Sequence, residues 1–224
     1  LVGSEMCIRD RAYLNRWKVK IYYEHYFDDH SQMFFQYGRW KDGHIGLEIT
    51  FPKNRFIDTF VYEGLGTKDQ TGPMLYDSFW GEFEEQISAK DNYYNHYLYQ
   101  GWQHWGMGIG NPLLPGPIYN KNGQITFISN RVLAHHIGFC GSPCQSLSYR
   151  MLLSYSRHWG TYDNPLNEIK KQFNSLFEVT YAPQQLKGWS FTVSGAMDRG
   201  SILGNNYGGM LVIRKQGIIK SGNK

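Results

Sequence analysis

The segment WQHWG at 102 to 106 carries the most distinctive chemistry in the chain. It places Trp102, His104 and Trp105 close together between glycines, and Tyr93 and Tyr94 lie shortly before it. Exposed aromatic rings offer an apolar face, and groups such as an imidazole supply hydrogen bonds, a combination suited to a large polar ligand such as a sugar chain. These five residues are therefore candidates for a carbohydrate-binding surface. The alternative is that the rings pack this segment into the mouth of the fold as a plug.

Two cysteines bracket a short turn-like segment, CGSPC, at 140 to 144. A disulfide between Cys140 and Cys144 would suit an oxidising compartment, and two free thiols are the alternative. No further ligands lie nearby at the spacing of a zinc site, so we expect no metal and no cofactor.

Serine and histidine residues suggest a hydrolase only weakly. Ser154, Ser156 and His158 fall on one face of a predicted strand, but Ser156 and His158 lie too far along it for a hydrogen bond, and no oxyanion element follows. His135 and His136 fall on opposite faces and cannot chelate one metal together. We therefore expect that the chain is not an enzyme.

The first residues are set aside before the fold is considered. Leu1 to Asp10 spell LVGSEMCIRD, which matches one reading frame of a transposase adapter used in preparing sequencing libraries, and Arg11 is doubtful as well. Residues 1–11 are therefore expected to be non-native, and Cys7 with them. Residues 12–224 are expected to be the C-terminal part of a longer protein.

Composition points to an interface rich in aromatic rings. Aromatic residues make up 17% of the chain, with 17 Tyr and 7 Trp, and such rings favour places with one apolar and one wet side. The formal charge of +4 is spread without a basic run, so nucleic-acid binding is not expected. No run of about 18 apolar residues is present, so a membrane assignment must depend on strands.

Alternation of apolar and polar residues predicts about eight strands. In the first, Val19 and Ile21 lie on one face and Lys18 and Lys20 on the other. The predicted strands run over 16–27, 44–51, 56–65, 125–139, 147–159, 173–181, 189–197 and 208–215.

The connections between these strands are expected to alternate between long and short. Short turns at 52–55, 141–146 and 182–188 oppose long loops at 28–43, 66–124, 160–172 and 198–207, and 82–90 is a candidate short helix. This arrangement is typical of outer-membrane β-barrels, whose turns are periplasmic and whose loops face outward. We predict an all-β, antiparallel up-and-down transmembrane barrel, of which this chain supplies about eight strands. A polar interior would contain Lys18, Lys20, Glu24, Glu48, Arg150 and Glu178.

Several stretches resemble the Bacteroidetes branch of the capsule assembly Wzi family. They are DNYYNHYLYQGWQHWGMGIGNPL (91–113), NRVLAHHIGF (130–139), WGTYDNP (159–165), EVTYAP with LKGWS (178–190) and LGNNYGGM (203–210), and the resemblance runs over nearly all of residues 12–217.

The resemblance implies a lectin-like surface anchor for capsular polysaccharide that acts without catalysis. It further implies a monomeric barrel in the outer membrane of a Gram-negative bacterium, in contact with outer-membrane lipid. The alternative function is a porin or diffusion channel, because the polar residues that would line the interior suit either role.

Overall fold

The computed structural model describes residues 16–26, 42–52, 56–68, 70, 92–95 and 102–217. These residues form an all-β fold without an α-helix, apart from one 3-10 turn at Pro117–Tyr119. None of their helices is long and apolar enough to span a membrane. The candidate helix at 82–90 lies outside the described residues. The strands are β1 (Lys18–His25), β2 (Gly43–Thr50), β3 (Thr59–Gly66), β4 (Gln103–His104), β5 (Met107–Gly108), β6 (Val132–Cys144), β7 (Leu147–Gly160), β8 (Pro165–Tyr181), β9 (Trp189–Gly200) and β10 (Asn206–Lys215).

Eight strands make one antiparallel sheet in the order β1-β2-β3-β6-β7-β8-β9-β10, and β4 and β5 form a separate small hairpin. Each strand therefore pairs with the next large strand along the chain, which confirms the predicted all-β antiparallel fold. Within the described residues, β1 and β10 do not pair with each other. We call the end of the sheet at Gly66 and Val132 the loop end, and the end at Thr59 and Leu147 the turn end.

The two faces of the sheet differ sharply in chemistry. Cross-strand partners share a face, so the register assigns every side chain. One face, here the inner face, carries the buried residues of β3, and the six charged residues predicted to share a face all lie on it. The other, the outer face, carries apolar and aromatic residues, many of them exposed. Examples are Ile21, Ile45, Ile137, Phe177, Val193, Leu211 and Ile213.

The outer face holds an apolar band, interrupted among the central strands by His135 on β6 and Ser175 on β8. On β7, residues of this face from Leu147 to Tyr155 are apolar or tyrosine, a span of about nine residues, close to the length of a membrane-spanning strand. Rings cluster at the turn end, where Trp189 and Phe191 stack with centroids 6.3 Å apart and Phe139 meets Tyr149 edge-on.

A small core lies against the inner face at the loop end. Leu114 and Phe127, from the long connection between β3 and β6, pack against Leu65, Val132 and Ala134. This connection therefore folds back onto the inner face of the sheet.

The predicted lengths of two loops, 160–172 and 198–207, are wrong because both connections are shorter. Gly160 adopts a φ of +84° and Thr161 N–H donates to the Asn164 carbonyl at 3.2 Å, so the chain reverses within residues 161–164. The polar stretch that follows extends β8 instead of forming a loop over 160–172. Residues 201–205 likewise connect β9 and β10, in place of the predicted 198–207.

The segment around the two cysteines also differs from expectation. β6 begins at Val132, not at 125, and continues through Cys144, so only residues 145 and 146 turn the chain. The candidate disulfide is not formed, and Cys140 is buried while Cys144 is exposed. A bulge lies between them, so Cys140 faces Arg150 and Cys144 faces Leu147, three positions along β7. The two Cα atoms are therefore roughly 10 Å apart along the strand, beyond the reach of a disulfide.

Candidate functional site

A cavity of about 1120 Å³ lies on the inner face toward the loop end. Strands β1, β2, β3, β6, β7 and β8 supply its polar wall, including Glu63, His136 and Ser154. The segments at 93–94 and 110–115, together with Trp102, cover it from the other side. The site is therefore polar on the sheet side and largely aromatic and apolar on the covering side.

One cross-strand row of the inner face is polar on nearly every strand. The register aligns Tyr22, Gly46, Glu63, His136, Ser154, Asn174, Asp198 and Asn206. Within this polar row, His136 Nδ1 lies 2.7 Å from Ser154 Oγ, and Asn174 Nδ2 donates to Asp198 Oδ1 at 2.6 Å. His44 Nε2 lies 3.6 Å from Glu63 Oε2. No three His, Cys, Asp or Glu side chains of the described part are arranged to hold a metal ion.

Gly46 makes the polar row continuous. The Tyr22 ring lies across it, and the Tyr22 hydroxyl donates to a Glu63 carboxylate oxygen two strands away. A Cβ at position 46 would stand 2.0 Å from Tyr22 Cζ. Only a residue without a side chain allows this ring to cross β2.

We call the segments at 93–94 and 110–115, together with Trp102, the cavity cover. Two asparagine side chains hold its first segment in place. Asn95 Oδ1 accepts from Phe127 N–H and Asn95 Nδ2 donates to the Phe127 carbonyl, both at 2.8 Å. Asn130 Nδ2 donates to the Tyr93 carbonyl at 2.7 Å. These bonds attach residues 92–95 to the chain just before β6. Nothing in the local sequence marks Asn95 or Asn130 as structural, because their partners lie more than 30 residues away along the chain.

Tyr93 and Tyr94 belong to this packed cover. Tyr93 Oη donates to Asp42 Oδ2 at 3.2 Å, and the Tyr94 ring meets Phe127 edge-on with centroids 5.0 Å apart. Burial raises the pKa of Tyr94, and a backbone hydrogen bond at Asn111 partly opposes this. For these two tyrosines, packing is the observed role, and both also line the cavity.

Trp102 joins the cover to the surface. Its ring lies 5.9 Å from that of Tyr94 and lines the cavity, while 59% of the residue remains exposed. It therefore presents a ring at the mouth of the cavity, where a ligand from outside would first meet it.

His104 and Trp105 lie at the tip of the β4–β5 hairpin, away from the cavity lining. Trp105 is 85% exposed and adopts a φ of +54°, which is uncommon for a bulky residue. The hairpin is held by Gly106 N–H donating to Gln103 Oε1 at 2.7 Å and by Ile118 N–H donating to the Gly106 carbonyl at 2.8 Å. The five predicted site residues thus divide into a cavity group and an exposed tip.

The expectation that Ser156 and His158 lie too far apart was wrong. Ser156 Oγ and His158 Nε2 are 2.9 Å apart, because residues two apart on a strand share a face and an imidazole can lie along it. Both residues are only 1% exposed, and His158 Nδ1 has no hydrogen-bond partner among the described residues. The pair lacks the third, orienting group of a nucleophilic triad.

This arrangement can bind a ligand with many hydroxyl groups. The polar row offers carboxylate, imidazole, hydroxyl and amide groups, and Trp102 offers a stacking surface. No protein-family model, curated protein or solved structure matches the chain.

Proposed function

We propose that the chain forms the wall of a monomeric outer-membrane β-barrel in a Gram-negative bacterium. The observation that carries this proposal is the distribution of side chains over the sheet, which is opposite to that of a water-soluble protein. Its inner face carries charged and hydrogen-bonded side chains, and its outer face carries exposed apolar side chains on strand after strand. A water-soluble protein rarely exposes a continuous apolar surface of this kind, whereas lipid-facing strands require it.

We further propose that the protein helps to hold capsular polysaccharide at the cell surface without catalysis. Two features support this role. The cavity combines a hydrogen-bonding wall with a tryptophan at its mouth, and a second tryptophan is exposed on the adjacent hairpin. The stretches that resemble the Wzi family include both tryptophans.

The test is capsule retention in cells that produce the protein with Trp102→Ala, Trp105→Ala or both. If the rings stack on sugar, the double variant releases polysaccharide into the medium, because each lost stacking contact weakens binding by roughly 0.5–1.5 kcal/mol. Trp189→Ala, at the turn end, is the control and should retain capsule. Normal retention in the double variant, at equal protein abundance in the membrane, would contradict polysaccharide contact at these residues.

A diffusion channel is the second candidate, because the inner face is charged, with Arg150 and Glu178 paired at 3.2 Å. The small core around Leu114 and Phe127 fills space on the inner face, which favours an interior that does not conduct ions. Single-channel recording in planar bilayers separates the two: stable ion conductance supports the channel, and its absence supports the anchor.

A further inference from the structure

Five cations gather on the outer face at the loop end, directly beyond the apolar band. This rim cluster consists of Lys68, Arg131, Arg157, Lys171 and Arg199. Lys68 and Arg131 lie just beyond the ends of β3 and β6. Arg157, Lys171 and Arg199 lie within β7, β8 and β9, and the five strands are neighbours in the sheet. At about 4.8 Å between strands, the rim cluster extends over about 19 Å.

Contacts within the rim cluster hold its cations near one another. Arg157 and Lys171 are direct cross-strand partners. Arg131 Nε donates to the Lys68 carbonyl at 3.0 Å. Lys68 Nζ and the Arg157 guanidinium lie 5.0 and 5.1 Å from the centroid of the same Trp159 ring. Aromatic rings thus attract the positive charges without neutralising them.

No carboxylate of the described residues forms an ion pair with the rim cluster. The ion pairs among the described residues join His44 to Glu24 and Glu63, and Arg150 to Glu178, and all of them lie on the inner face. Like charges placed opposite each other on a sheet, as at Arg157 and Lys171, destabilise it. An anionic ligand would relieve this repulsion.

We propose that the rim cluster binds the phosphate groups of an anionic glycolipid in the outer leaflet of the membrane. The inference rests on the proposed outer-membrane location, because only that location puts lipid headgroups beside these residues. The apolar band below would contact the acyl chains, and the guanidinium groups would bind phosphate oxygens in bidentate fashion. Cations near a membrane surface favour anionic headgroups in this manner. The width of the rim cluster suits a headgroup with more than one phosphate.

The test compares two lipids on the full chain purified in nonionic detergent. The probes are lipid A with both phosphates and the same lipid with both phosphates removed, and native mass spectrometry measures their dissociation constants. We expect the phosphorylated lipid to bind at least about tenfold more tightly. We expect Arg157→Gln/Lys171→Gln/Arg199→Gln to lose that preference. Equal binding of the two lipids by the unaltered chain would overturn the proposal, and this comparison needs no variant to fold.

A matched variant controls for net charge. Arg16→Gln/Lys187→Gln/Lys215→Gln removes three charges at the turn end and should keep the lipid preference. If it loses the preference as fully as the rim variant does, overall charge is responsible and the proposed site is wrong. Failure of the two proposals is distinguishable. A protein absent from the outer-membrane fraction contradicts the proposed function, whereas one present there without phosphate selectivity contradicts only the rim site.

Discussion

Gly46 shows how a single residue organises the inner face. Because it has no side chain, the Tyr22 ring reaches across β2 and its hydroxyl meets Glu63. The contact joins three strands and buries part of the polar row. A larger residue at position 46 would break the row at β2.

We predict that Gly46→Ala destabilises the folded protein by roughly 1–3 kcal/mol, the usual cost of forcing an extra methyl group into a packed site. The added Cβ would stand 2.0 Å from Tyr22 Cζ, so the ring must move. The measurement is the urea midpoint of the folded protein in detergent micelles.

Gly208→Ala is the matched control. It also lies on the inner face, and a Cβ there meets no atom within 4 Å. Equal midpoints for Gly46→Ala and Gly208→Ala would show that the Tyr22 ring does not depend on Gly46.

At the scale of the elements, successive side chains of β9 point alternately to the outer and the inner face of the sheet. Val193 lies on the outer face opposite Leu211 and Val179, while Ala196 lies on the inner face opposite Leu176 and Gly208. Both positions are exposed, so simple exposure does not distinguish them. If the outer face contacts lipid, the two positions differ strongly in their tolerance of charge.

We predict that Val193→Arg costs roughly 2–4 kcal/mol in folding, the range for an arginine at the lipid-facing centre of a membrane strand. Ala196→Arg should cost less, because its side chain would enter a polar interior. Urea unfolding in lipid vesicles measures both. In a protein that is not embedded in lipid, Val193 is 60% exposed to water and its replacement by arginine would be nearly neutral.

On the scale of the whole molecule, the sheet has two unlike ends. The turn end carries the connections at 51–58, 145–146 and 182–188 and an aromatic cluster. The loop end carries the short turns at 161–164 and 201–205, and also the long connection between β3 and β6, the cavity cover and the rim cluster. Barrels of the outer membrane place short turns in the periplasm and long loops outside. The proposed function therefore implies one orientation.

We predict that Cys144, exposed at the turn end, reacts with a membrane-impermeant maleimide only after the outer membrane is permeabilised. The assay uses a Cys7→Ser background, and buried Cys140 should remain unlabelled. A Trp105→Cys/Cys144→Ser variant should instead be labelled in intact cells. Labelling of Cys144 in intact cells would mean that the orientation is reversed.

The sequence by itself determined the fold class and, where apolar and polar residues alternate regularly, the face on which each side chain lies. Alternation of side chains over β1, β2, β7 and β9 has a period of two that only an extended chain satisfies, so the fold class and the charged face could be predicted. The connection between β7 and β8 could not be predicted correctly, because Lys170 and Lys171 look like loop residues when only polarity is considered. Their place in β8 depends on the turn at 161–164.

Only the tertiary structure decided which residues meet. The register between strands brings Tyr22, Glu63, His136 and Ser154 into one row, although more than a hundred residues separate the first from the last, and no local pattern specifies that alignment. The tertiary structure also distinguishes Tyr93 and Tyr94, which contact Asp42 and Phe127, from Trp105, which is exposed. Side-chain type and spacing are properties of the chain, whereas burial and contact depend on what the rest of the fold places beside each residue.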